Sequence, residues 1–131
     1  DCDVIQADGG TRTASICGGF IALHDAFTRM ISAGQMAEHP ITEELAAVSV
    51  GVVDGEVCLD LPYVEDSTAE VDLNVVMTSS GKFVEVQGTA EDGPFERKSL
   101  EEMLDAAEIG IKEITEAQRN LLSSPPVDRS N

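Results

Sequence analysis

Cationic side chains are what this sequence has least of. Eight Lys and Arg stand against 25 Asp and Glu in 131 residues, a formal net charge of −17. Coating nucleic acid by bulk electrostatics needs clustered cations, so this balance excludes that mode. It equally excludes docking on anionic membrane surfaces. Long apolar runs are missing too: the longest nearly apolar stretch, Ala46–Val53, falls far short of the roughly 20 residues of a membrane span. Cysteine is sparse and odd in number. Cys2, Cys17 and Cys58 lack metal-ligand spacing and read as free or buried thiols of a reducing compartment, the cytoplasm. No secretory signal is visible, and the chain opens on Asp1-Cys2-Asp3 with strand-like alternation. It is therefore expected to start inside a longer polypeptide.

What is present is enough for one folded domain. The length suits a single compact unit, and 42% hydrophobic residues with recurrent β-branched runs can supply a core. Asp1–Ala7 alternates polar and apolar side chains and reads as a short strand, broken by Asp8-Gly9-Gly10. The spacing of Ile16, Phe20, Leu23, Phe27 and Met30 predicts a helix over 11–31. Gly18-Gly19 inside it is expected to mark close packing. Asp54-Gly55 between Ala46–Val53 and Glu56–Leu61 is a strong hairpin signal. Val71–Thr78 and Lys82–Thr89 form a second hairpin about Ser79-Ser80-Gly81, and Gly88 suggests close backbone packing. Ser99 and Glu102 match a capping box opening a helix to Leu122. Residues 1–122 thus form the domain, and 123–131, rich in Ser and Pro, is expected to be a disordered tail. The predicted order is β-α-β-β-β-β-α, an α+β fold with a mixed sheet and the helices packed on one face.

Two segments carry candidate chemistry. Asp8-Gly9-Gly10-Thr11-Arg12-Thr13 lies between a strand and a helix. Glycines let backbone N–H groups approach an anion, and the helix N-terminus adds a favourable dipole. Arg12 offers a planar fork for phosphate oxygens. Spacing alone reads equally well as a glycine turn with Arg12 in solvent. The second group is Glu65, Asp66, Glu70 and Asp72; Asp72 and Asn74 alternate with Val71, Leu73 and Val75 and leave the sheet on the opposite face. Carboxylates converging from a loop and a strand can hold Mg²⁺ or act as a general acid. In so acidic a chain, a solvated face is the competing interpretation. His24, His39 and the lone tyrosine, Tyr63, read as structural or surface residues.

Four stretches resemble one family: DVIQADGGTRTASI (Asp3–Ile16), AAVSVGVVDGE (Ala46–Glu56), LPYVEDSTAEVDLNVVMT (Leu61–Thr78) and VEVQGTAE (Val84–Glu91). They resemble, in order, bacterial RNase PH, the phosphate-dependent tRNA nucleotidyltransferases, over most of residues 1–96. The resemblance implies a phosphorolytic 3′→5′ exoribonuclease: inorganic phosphate attacks the terminal phosphodiester and releases a nucleoside diphosphate, trimming tRNA 3′ ends. It implies that Gly10, Thr11 and Arg12 bind phosphate, and that Asp66 and Asp72 are the paired catalytic aspartates associated with Mg²⁺. It also implies a hexameric ring, a trimer of dimers. The chain resembles only the C-terminal part of the domain, lacking the N-terminal strands, a further phosphate-binding arginine and much of the basic RNA path. Cys17, Gly18 and Gly19 stand where the family has a Thr-Gly-Ala-like segment. A non-catalytic ring scaffold of the same fold is the alternative, and an unrelated divalent-cation-binding domain a third.

Overall fold

Side-chain alternation along two hairpins builds the sheet. The computed structural model describes residues 1–126 and consists of α1 (Thr11–Ser32), β1 (Leu45–Val53), β2 (Glu56–Leu59), α2 (Tyr63–Asp66), β3 (Val71–Thr78), β4 (Phe83–Ala90) and α3 (Arg97–Leu122). Asp54 and Gly55 take positive φ, 51° and 77°, as the two-residue turn requires. The strands lie in the order β2-β1-β3-β4, every neighbouring pair antiparallel.

Register divides the sheet into two unlike faces. Ala46, Val48, Val50 and Val52 of β1 stand opposite Met77, Val75, Leu73 and Val71 of β3. Met103, Ala107 and Ile111 of α3 pack on these eight side chains to form the core, which Cys17 of α1 joins at its margin. The other face pairs Ser49 with Asn74 and Gly51 with Asp72. A Cβ on Gly88 of β4 would collide with the Leu73 side chain, which is why glycine sits there.

β2 pairs only with Val50–Val53 of β1, and helix side chains replace the missing ladder beyond it. The Cys17 thiol donates to the Ala47 carbonyl and accepts from the Ala47 N–H, both at 3.2 Å. Gln118 Nε2 of α3 donates to the Leu45 carbonyl at 3.0 Å. Burial pushes the Cys17 thiol up, which suits a structural thiol rather than a reactive one. All three cysteines are free.

The α+β class and both hairpins stand as the sequence indicates, with several corrections. The order is α-β-β-α-β-β-α and the sheet is antiparallel throughout, not mixed, because residues 1–7 are not a strand. That segment pairs with no strand of this sheet and leaves Val4 and Ile5 exposed, Ile5 at 99%. α2 was not anticipated; Pro62, extended at its N-cap, starts that single turn. The proposed capping box does not form: α3 begins at Arg97, and Glu102 instead pairs with Lys98 at 3.3 Å. Gly18 has open space where a side chain would stand, so the Gly18-Gly19 pair is not a close-packing site. The predicted α1 stripe holds at Phe20 and in part at Ile16, Phe27 and Met30, and fails at Leu23. Thr13 and Phe20 are the helix's buried residues, while Leu23 is half exposed. The expected tail falls partly outside the described residues, at 127–131; before that, Ser123 still bonds to the Arg119 carbonyl and Pro126 is buried.

Arg119 of α3 also ties the approach to β1, its Nε and Nη2 donating to the Glu44 carboxylate at 3.1 and 3.3 Å. Hydrogen bonds from Arg119 and then Ser79 hold that carboxyl at about 2, below its ordinary 4.5. A depressed folded-state value stabilises the fold above the unfolded value, and the gain is lost as pH falls through the folded one. Glu44→Gln is therefore expected to cost about 1 kcal/mol or less of stability at pH 7 in this partly exposed pair, read as a lower thermal midpoint. The gap to wild type should close as pH falls from 4.5 towards 2. A gap independent of pH would refute the linkage.

Candidate active site

The polar face of the sheet meets the start of α1. Gly10, the helix N-cap, adopts φ 66°, and no side chain caps the helix. The first-turn N–H groups are thus left for an external acceptor at the positive end of the helix dipole. Asp8 fixes the approach: its Oδ1 accepts from the Gly9 N–H at 2.9 Å and from the Tyr63 N–H of α2 at 2.7 Å. Those bonds hold the Asp8 carboxyl below its usual range. A Cβ at Gly9 would strike the Leu61 carbonyl, so only glycine lets the loop pass. Thr11 Oγ1 donates to the Asp8 carbonyl at 2.9 Å and closes the turn.

Arg12 projects from the first turn of α1 across to β4. Its Nη2 lies 2.7 Å from Glu85 Oε1, with both side chains nearly half exposed. This pairing engages one nitrogen of the guanidinium fork. Asp66 ends α2, while Asp72 lies on the polar face of β3. Burial chiefly, then the charges of Asp66 and Glu91, push the Asp72 carboxyl up. Its Oδ1 is buried and has no hydrogen-bond partner.

One cleft of about 210 Å³ gathers these groups, lined by Asp8, Gly9, Gly10, Thr11, Arg12, Ser49, Asp66, Asp72 and Asn74. The sequence candidates Gly10, Thr11, Arg12, Asp66 and Asp72 therefore share one site, although some 60 residues separate the two groups in the chain. A second cleft of about 320 Å³, with Glu91 and Asp92 on its wall, also includes Asp66 and Asp72. The other two acids of the original group lie elsewhere: Glu65 lines neither cleft, and Glu70 accepts from the Gly55 N–H at the first hairpin. His24 and His39 stack on each other, ring centroids 4.3 Å apart, and do not line the site. Sequence reasoning gave Asp8 no role within its segment and missed Ser49, Glu85 and Glu91. Ser49 had left a signal, as the one polar side chain in an otherwise apolar run.

Residues 44–110 match the 3′ exoribonuclease family, domain 2. The chain belongs to that family, in its RNase PH branch. It is 58% identical over 125 residues to Ribonuclease PH of Corynebacterium kroppenstedtii, a match covering 95% of this chain and 49% of the relative. The matched part is the C-terminal half, so this chain spans about half the length of that relative. Among solved structures, the crystal structure of rice (Oryza sativa) Rrp46 superposes with a TM-score of 0.71 at 19% identity, covering 92% of this chain and 52% of that one. At that identity the likeness establishes the RNase PH-type fold alone.

The Asp72 environment gives a stability test. A carboxyl whose folded value is raised stabilises the fold below its unfolded value, 3.8, and loses that advantage as pH rises through the folded one. Above that point the ionised, buried carboxylate is a cost. Asp72→Asn is accordingly expected to melt no lower than wild type at pH 7, whereas wild type gains on the variant as pH falls. A variant clearly less stable at pH 7 would contradict this assignment of burial as the dominant cause.

Proposed function

We propose that this chain supplies the phosphate-binding nest and the paired carboxylates of a phosphorolytic 3′→5′ exoribonuclease that trims tRNA 3′ ends. The observation that carries the reading is the single cleft shared by Gly10, Thr11, Arg12, Asp66 and Asp72. In this reading inorganic phosphate is the nucleophile. The first-turn N–H groups of α1 and the free part of the Arg12 fork orient its oxygens. An oxygen of that phosphate attacks the phosphorus of the terminal phosphodiester, and the bond to the 3′-oxygen of the preceding nucleotide breaks. The nucleoside diphosphate leaves, and the shortened RNA keeps a 3′-hydroxyl. Positioning and neutralisation of oxygen charge dominate such transfers.

Among the described residues no group of three His, Cys, Asp or Glu side chains forms a metal cage. A pair of carboxylates still suits Mg²⁺, which is commonly held by one or two such groups and keeps several waters. The unpartnered, buried Asp72 Oδ1 beside the charge of Asp66 fits that role. Bound there, Mg²⁺ would supply charge stabilisation for the departing 3′-oxygen. Asp66 and Asp72 are its ligands in this reading, and the group that protonates the leaving oxygen is left unassigned.

The net charge of −17 fits a chain that is one part of an RNA-binding assembly. The proposed partners are the N-terminal half of the domain, bearing the basic RNA path, and further copies in a hexameric ring, a trimer of dimers, in the cytoplasm. No helix among the described residues is long and apolar enough to cross a membrane. A ring scaffold without activity is the competing reading. Five candidate residues brought into one cleft weigh against it.

The test is phosphate-dependent release of nucleoside diphosphates from a tRNA with a 3′ extension, in Mg²⁺. This chain alone is compared with the chain assembled on the N-terminal half of the Corynebacterium kroppenstedtii enzyme. The lone chain is expected to show little activity and the assembled form robust turnover. Asp72→Asn should lose at least ~100-fold in kcat, and Arg12→Ala should raise KM for phosphate ~10-fold or more. Undiminished turnover in Asp72→Asn would end the catalytic assignment.

A further inference from the structure

Ser49 lies in the middle of the most buried strand, yet its hydroxyl makes no hydrogen bond within the fold. The residue is 2% exposed, and its Oγ has no hydrogen-bond partner. An unpaired buried hydroxyl is costly, and native proteins rarely keep one without a reason. Its neighbours indicate the reason. Ser49 stands directly opposite Asn74 on the polar face and lines the same cleft as Gly10, Thr11 and Arg12. A Cβ built on Gly10 would lie 3.5 Å from Ser49 Oγ, 3.2 Å from Thr13 Oγ1 and 3.8 Å from Asp60 Oδ1. The missing side chain of Gly10 therefore leaves the hydroxyl open towards the turn. Thr13 Oγ1 is already committed to the Gly10 carbonyl, and Asp60 meets Ser49 only through its N–H, which donates to the Ser49 carbonyl at 2.8 Å and leaves the hydroxyl unpaired.

We propose that Ser49 is an additional phosphate-binding residue, its hydroxyl donating to an oxygen of the inorganic phosphate held at Gly10–Arg12. The inference rests on the proposed function and extends it to a residue from the floor of the sheet. A neutral donor suits the position. The surrounding Asp60, Asp66 and Asp72 oppose an incoming anion, and a hydroxyl offers a directed proton without altering the net charge. The bond also gives the orphaned Oγ its partner only when phosphate is bound.

The experiment uses the assembled form described above, with Ser49→Ala, Ser49→Cys and Arg12→Ala. Steady-state KM is measured separately for phosphate and for RNA, and melting is followed with and without phosphate. Ser49→Ala is expected to raise KM for phosphate ~10-fold, leaving kcat and KM for RNA within about twofold. It should melt no lower than wild type without phosphate, and phosphate should raise its midpoint less. Ser49→Cys keeps the side-chain shape with a slightly larger, weaker donor and should behave like Ser49→Ala in KM for phosphate. An unchanged KM for phosphate in both variants would overturn the proposal. So would a parallel rise in both KM values with a lower melting point, which marks a packing role. If Arg12→Ala also leaves KM for phosphate unchanged, the nest itself is misassigned. If only Arg12→Ala raises it, the nest stands and the Ser49 assignment falls.

Discussion

The antiparallel pairing of β1 with β3 is the constraint on which the rest depends. Its register sets Val48 against Val75 and Val50 against Leu73, and thereby Ser49 against Asn74 and Gly51 against Asp72. Period-two alternation makes these two consequences inseparable, since a slip of one residue would exchange the faces. The apolar face is committed to α3, so the polar face is the one that can carry chemistry. The orphaned Ser49 Oγ and Asp72 Oδ1 both belong to it. Core packing against Met103, Ala107 and Ile111 thus holds two unsatisfied polar atoms in a fixed relation.

A second layer of constraint positions the nest over that face. Asp8 joins the loop before α1 to the start of α2, so the segment bearing Gly10–Arg12 is tied to the turn bearing Asp66. Cys17 and Gln118 then secure both long helices to the part of β1 that β2 leaves unpaired. Arg12 extends from α1 to Glu85 on the edge strand β4 and so links the helix to that strand. Each contact is modest alone, and exposed pairs such as Arg12–Glu85 contribute little to stability. Their effect lies in geometry, and the proposed phosphoryl transfer is a reaction that rewards positioning above all.

Charge takes a different meaning in this setting. A balance of −17 opposes bulk attraction of RNA, while local arrangement can still favour a small anion. At the start of α1 the helix dipole, the Arg12 fork and unpaired N–H groups act over a few ångströms. The surrounding acids meanwhile suit a divalent cation. Burial and the charge of Asp66 both raise the Asp72 carboxyl, an environment in which a bound cation would be worth more than in water.

Much of this was legible in the residues themselves. Asp54-Gly55 demanded a tight turn because both positions need positive φ, and alternation from Val71 to Thr78 assigned Asp72 and Asn74 to one face. The Asp8–Thr13 segment offered a candidate anion site for local reasons too, although its spacing reads equally well as a glycine turn. Local pattern failed where the deciding partner was distant. Residues 1–7 alternate like a strand, yet a strand exists only where a neighbour completes its ladder. Ser99 and Glu102 had the spacing of a capping box, but Lys98 engaged Glu102 instead. Spacing could not say whether acids some 60 residues from Arg12 would meet it, nor that Ser49 would lie unpaired beneath Gly10. Those outcomes belong to the tertiary structure, because they depend on how α1 settles on the sheet, and no local sequence signal encodes that contact.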